Sequence, residues 1–151
     1  MKLAEALLTR ADLQKKIAQL KNRMVQNVKV IDGEEPAESV EKLLEEFNNA
    51  NSALESLIKR INKTNAKTSF KDGTIIDSIV CRDCLSTKIK AYRDLYEAAV
   101  SKSDRFHLQE IKYIRCIDAA ILQKDIDELS QLYRSIDTSL QEVNWYTDLI
   151  D

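Results

Sequence analysis

The stretch VEKLLEEFNNANSALESLIKRI, residues 40–61, decides the fold. Its apolar residues Val40, Leu43, Phe47, Ala50, Leu54, Leu57 and Ile61 follow one another by steps of three and four without a break. That is the period of a helix with one buried edge. Leu44 and Ile58 widen the edge beyond a two-stranded seam toward a bundle face.

Working outward, the same spacing recurs before and after. Leu3, Ala6, Leu13, Ile17, Leu20, Met24 and Ile31 form a heptad seam, with Arg10 and Asn27 as polar interruptions, and predict a first helix over residues 2–30. Gly33 suits the C′ position of that helix, and Pro36 suits the first turn of the next, which runs to Asn62. Residues 62–73 are polar and read as a loop with room for one short strand. Thr74, Ile75, Ile76 and Asp77 have capping-box spacing, with Asp77 in the N3 place. A third helix follows over 75–101 with a less regular stripe that contains Arg82. A fourth starts after Asp118, a good N-cap, and carries Leu122, Ile126, Leu129, Tyr133, Ile136, Leu140 and Val143 before ending near Thr147.

Composition points the same way. The chain has 151 residues, enough for a single domain with a sizeable core, and a net charge of −2. Two glycines and one proline cannot furnish the turns of a sheet protein or a glycine-rich phosphate loop. No apolar run approaches the roughly 20 residues of a membrane span, and Glu5 and Arg10 interrupt the opening stretch. Three cysteines fit reduced thiols, so the expected location is the cytoplasm, with membrane association disfavoured.

The expected architecture is an all-α, antiparallel four-helix bundle of long helices in one domain, residues 1–151. The basic residues of helix 1 (Arg10, Lys15, Lys16, Lys21, Arg23, Lys29) then lie beside Glu38, Glu41, Glu45 and Glu46. A re-entrant alternative runs residues 104–117 back along the bundle, where they could pair with residues 67–71 as a small β-ribbon and set helix 4 parallel to helix 3.

Several residues invite a chemical reading. Arg82 and Asp83, together with Asp104, Arg105, Glu110, Lys112 and Asp118, form a candidate polar cluster. Buried charges must be paired, so the cluster is either an ion-pair network that fixes helix register or a polar ligand pocket. Cys81, Cys84, Cys116 and His107 number enough for tetrahedral zinc, but the bundle spaces them far apart, so no metal or other cofactor is expected. Cys81 and Cys84 instead read as small residues in or near the core. No set of residues has the spacing of a catalytic triad, and no catalytic residue is assigned. Lys59, Arg60, Lys63, Lys67 and Lys71 make a basic stretch, but the chain is slightly acidic and nucleic-acid binding is disfavoured. Trp145 and Tyr146 close helix 4 as a core-edge plug or as interface anchors of an oligomer.

These residues also carry a resemblance. Leu7-x-x-Arg10-Ala11-Asp12-Leu13-Gln14-Lys15, Gly33-Glu34-Glu35-Pro36, Ile61-Asn62-Lys63-Thr64-Asn65, Arg82-Asp83, Asp104-Arg105, Glu110-Ile111-Lys112, Leu122-Gln123-Lys124 and Asn144-Trp145 resemble a family of small bacterial helical proteins labelled septicolysin. The resemblance implies a helical fold and carries over no catalytic residues; its label implies cytolysis. Three function classes follow: a self-associating structural or interaction protein, expected to be a homo-oligomer; a membrane-active protein; and a small-ligand or metal-binding protein using the Arg82/Asp83 and Glu110/Asp118 cluster.

Overall fold

A computed structural model describes residues 1–101 and 113–151. It is all-α, a helical-bundle protein with four helices among the described residues: α1 (Leu3–Asn27), α2 (Val40–Lys67), α3 (Ile75–Val100) and α4 (Ala119–Tyr146). Two short strands, β1 (Ser69–Phe70) and β2 (Gly73–Thr74), stand between α2 and α3. The chain divides into two compact units, Met1–Ile75 with Gln141–Asp151, and Ile76–Leu140.

The first unit is built on an antiparallel hairpin of α1 and α2. Leu20, Leu43 and Ala50 are buried, with Leu13, Ile17, Met24 and Phe47 packed against them. These are residues of the two sequence seams. The Arg23 guanidinium grips Glu38 with two hydrogen bonds, Nε to Oε2 at 2.9 Å and Nη2 to Oε1. Of the expected pairing of the α1 bases with Glu38, Glu41, Glu45 and Glu46, the ion pair present among the described residues is this one, just before α2 begins.

Helix 1 stops earlier than the seam implies. Beyond Asn27 come Val28, Val30 and Ile31, whose branched Cβ atoms lower helix propensity. Asn27 completes the stop: its Nδ2 donates to the Arg23 carbonyl at 2.9 Å, and its Oδ1 accepts the Glu38 N–H at 3.1 Å. Ile31 therefore falls outside the helix and is 72% exposed. Gly33 does not cap α1. It has φ of +89° inside a turn closed by the Glu34 N–H on the Ile31 carbonyl at 2.9 Å, where an L side chain would be strained. Pro36 lies outside helix; Ser39 is the N-cap of α2, its Oγ accepting the Lys42 N–H.

Helix 2 in turn runs past the expected end, to Lys67. Thr64 is fully buried and Asn65 nearly so. Their burial, and for Thr64 a hydrogen bond from the returning tail, overrides the turn preference of the Asn-Lys-Thr-Asn run. Residues 69–74 then form their own hairpin, with Ser69 opposite Thr74 and Phe70 opposite Gly73. Only the re-entrant alternative gave 67–71 a partner, the 104–117 segment. The Lys71-Asp72 turn, with Lys71 at φ +52°, supplies a nearer one.

The tail is the other structural device of this unit. Leu3 N–H donates to the Thr147 carbonyl and Leu149 N–H to the Met1 carbonyl, both at 2.9 Å. Lys2 Nζ reaches Asp148 at 2.8 Å and the Tyr146 carbonyl at 3.2 Å. The Lys2 N–H itself donates to Glu5 Oε2 at 2.7 Å, satisfying a free donor at the helix start. Leu149 is buried.

The second unit pairs α3 with α4, running antiparallel: Arg82 meets Asp137, Arg93 meets Ser130, and the Arg115 Nε donates to the Ala99 carbonyl at 2.6 Å. The antiparallel direction overturns the parallel helix 4 of the re-entrant alternative. Ile89, Leu122, Ile126 and Leu140 are buried, as the stripes require. Asp118 caps α4, its Oδ1 accepting the N–H groups of Ala120 at 2.9 Å and Ile121 at 3.2 Å.

Candidate functional site

Heptad spacing places Arg82 on the same face of α3 as Ile75 and Ile89, both buried. An arginine there must find acceptors. Its Nη1 donates to Asp137 Oδ1 at 3.0 Å, and its Nε and Nη2 donate to Asp83 Oδ1 at 3.0 and 2.9 Å. The side chains of Arg82 and Asp137 are 28% and 29% exposed; Asp83 is 62% exposed. Desolvation works against the charge on Arg82, yet hydrogen bonds and attraction from the two carboxylates outweigh it and raise its pKa above the ordinary arginine value. Chemically this is a cross-helix ion pair in which all three guanidinium nitrogens donate to carboxylates.

Of the rest of the sequence cluster, Asp118 does not gather around it. Asp118 spends its carboxylate on the α4 cap, at the end of α4 opposite to Asp137. About 19 residues of α4 separate the two, close to 28 Å at the helical rise. Asp104, Arg105, Glu110 and Lys112 lie outside the described residues. Asp137, by contrast, is the partner that sequence reasoning missed. Its signal is positional: it stands four residues after Tyr133 and three before Leu140, at a seam position where a lone carboxylate needs a cation.

The thiols also differ from expectation. Cys81, Cys84 and Cys116 are all exposed. Cys81 and Cys84 sit off the Ile75–Arg82–Ile89 face, which is why they escape the core. Among the described residues, no three His, Cys, Asp or Glu side chains gather as metal ligands; His107 lies outside them. The basic stretch is largely engaged: Lys59 pairs with Glu55, and Arg60 and Lys63 hold Asp151. Trp145 and Tyr146 are 56% and 81% exposed, so neither plugs a core edge.

A second feature was not legible beforehand. A pocket of about 340 Å³ opens between α3 and α4, lined by Arg93, Tyr96 and Glu97 from one helix and Gln123, Ile126, Asp127, Ser130 and Arg134 from the other. Apart from Ile126, a residue of the apolar stripe, its lining is polar or aromatic and follows no catalytic or metal-binding motif.

Comparison with known proteins adds the lineage. Residues 10–149 match the model of a Family of unknown function (DUF6847). The chain belongs to that family. A crystal structure described as a functionally unknown conserved protein from Corynebacterium diphtheriae is 34% identical, with 99% of each chain covered and a TM-score of 0.94. No curated protein matches. The bacterial helical character implied by the septicolysin resemblance agrees with these findings; neither description mentions septicolysin or cytolysis.

Proposed function

We propose that this DUF6847 protein is a non-enzymatic interaction protein that associates with a second copy of itself through the Trp145–Tyr146 end of α4. The observation that carries this reading is two large aromatic side chains left in solvent on a fixed backbone. The Tyr146 carbonyl is held by Lys2, and the Thr147 carbonyl by the Leu3 N–H. Aromatic residues are favoured interface anchors, and an anchor already held in place loses little entropy on binding. The patch is flanked by the Lys2–Asp148 ion pair, which offers both signs of charge. A symmetric contact, where the same patch faces itself, needs such a mixed rim. The engaged state of Arg82, Asp83 and Asp118 supports a structural role for them over a catalytic one.

Sedimentation equilibrium tests the proposal. Wild-type protein at micromolar concentration is expected to be a dimer, and W145A/Y146A a monomer of unchanged helicity. A monomeric wild type refutes self-association. A dimer that persists in the double variant refutes the aromatic anchor alone. The cytolytic alternative rests on the resemblance only; no helix among the described residues is long and apolar enough to cross a membrane. Release of dye from liposomes by the purified protein is its test.

A further inference from the structure

The pocket of the second unit is lined by charges of both signs that do not neutralise one another. Among the described residues, Arg93, Arg134, Glu97 and Asp127 take part in no ion pair. Arg93 is held by a neutral partner, Ser130 Oγ at 3.5 Å, and Asp127 by Gln123 Nε2 at 3.0 Å. Elsewhere on the same two helices charges do pair, as Arg82 does with Asp83 and Asp137.

The charges are also sorted along the pocket. With α3 and α4 antiparallel and Arg93 opposite Ser130, Arg134 lies toward one end with Arg93, and Glu97 and Asp127 lie toward the other. Arg93 and Glu97 are one helical turn apart, and Asp127 and Arg134 two turns, so the two ends are separated by about 6–10 Å. Tyr96, half-buried and placed between Arg93 and Glu97 along α3, supplies apolar surface between them; Ile126, only 4% exposed, lies level with Glu97 at the acidic end. The volume of about 340 Å³ sits at the small end of the range for small-molecule sites.

We propose that this pocket binds a small zwitterion whose carboxylate and ammonium are separated by a short methylene chain. The guanidiniums take the carboxylate in a charge-assisted contact, the two carboxylates take the ammonium, and the chain lies on the Tyr96 ring. The site is independent of the Trp145–Tyr146 surface, so W145A/Y146A is expected to bind as wild type does.

The test is a calorimetric and NMR titration at low salt with 6-aminohexanoate, against hexanoate and hexylamine as single-ended controls. The zwitterion is expected to bind with Kd of about 1 mM, and each control at least about tenfold more weakly. R134Q and E97Q, both at exposed positions, are each expected to weaken zwitterion binding by at least about fivefold while helicity and thermal midpoint stay unchanged. Hexanoate binding as well as 6-aminohexanoate would overturn the proposal in favour of a plain anion site. Absence of saturable shifts at Arg93–Glu97 and Gln123–Arg134 up to about 10 mM would overturn it outright.

Discussion

The N–H of Ile150 donates to the hydroxyl oxygen of Thr64 at 3.0 Å, across 86 positions of sequence. Thr64 is fully buried, and its hydroxyl donates in turn to the Arg60 carbonyl at 2.8 Å. One side chain thereby ties the C-terminal tail to α2. In T64V the shape is kept and the acceptor is lost, leaving the Ile150 N–H without its partner. The expected cost is about 1–3 kcal/mol by urea denaturation, with faster amide exchange over residues 147–151. T64S retains the oxygen and should recover most of that exchange protection.

Burial separates two residues that the sequence seam treats alike. Leu20 is 1% exposed and Ile31 is 72% exposed. L20A is expected to cost about 2–5 kcal/mol, and I31A to stay within about 0.5 kcal/mol of wild type. Thermal or chemical denaturation of the pair checks where α1 ends.

Arg10 interrupts the α1 seam, and its Nε is buried with no hydrogen-bond partner among the described residues. R10M keeps much of the aliphatic packing and removes the unsatisfied donor. A gain of about 1 kcal/mol in unfolding free energy is expected. A loss of similar size would mean that the guanidinium has a partner that matters.

Two carboxylates make folding acid-sensitive. A hydrogen bond from Arg23 lowers the Glu38 pKa, and one from Lys2 lowers that of Asp148. A depressed carboxylate contributes stability that is complete above its unfolded value, 4.5 for Glu and 3.8 for Asp, and lost as pH falls through the folded value. The denaturation midpoint is therefore expected to fall with acid below the unfolded pKa, and E38Q/D148N to flatten that slope.

The helical fold was legible because apolar spacing along α2 and α4 reports burial directly. Its boundaries were not. Asn27 ends α1 by bonding to Arg23 and Glu38, and the latter contact requires the hairpin to exist already. Thr64 and Asn65 read as turn formers, yet α2 continues through them because both are buried and the tail bonds to Thr64. At the candidate site, Arg82 was recognisable as a cation in a seam, but its partner Asp137 lies 55 positions away. Only the antiparallel register of α3 and α4 selects it from the other acids of α4. The pocket charges were hidden for the same reason: Arg93 and Arg134 are ordinary surface residues until two helices set them at one end of a shared cleft.

The hydrogen bond between Leu149 and Met1 brings the first residue beside the C-terminal tail, two residues from residue 151. A short peptide joining them would close the chain into a ring with little distortion, and new ends could be opened at the exposed turn around Gly33. Such a circular permutant should fold. Bulky fusions at residues 1 and 151 together, in contrast, would crowd one corner of this unit.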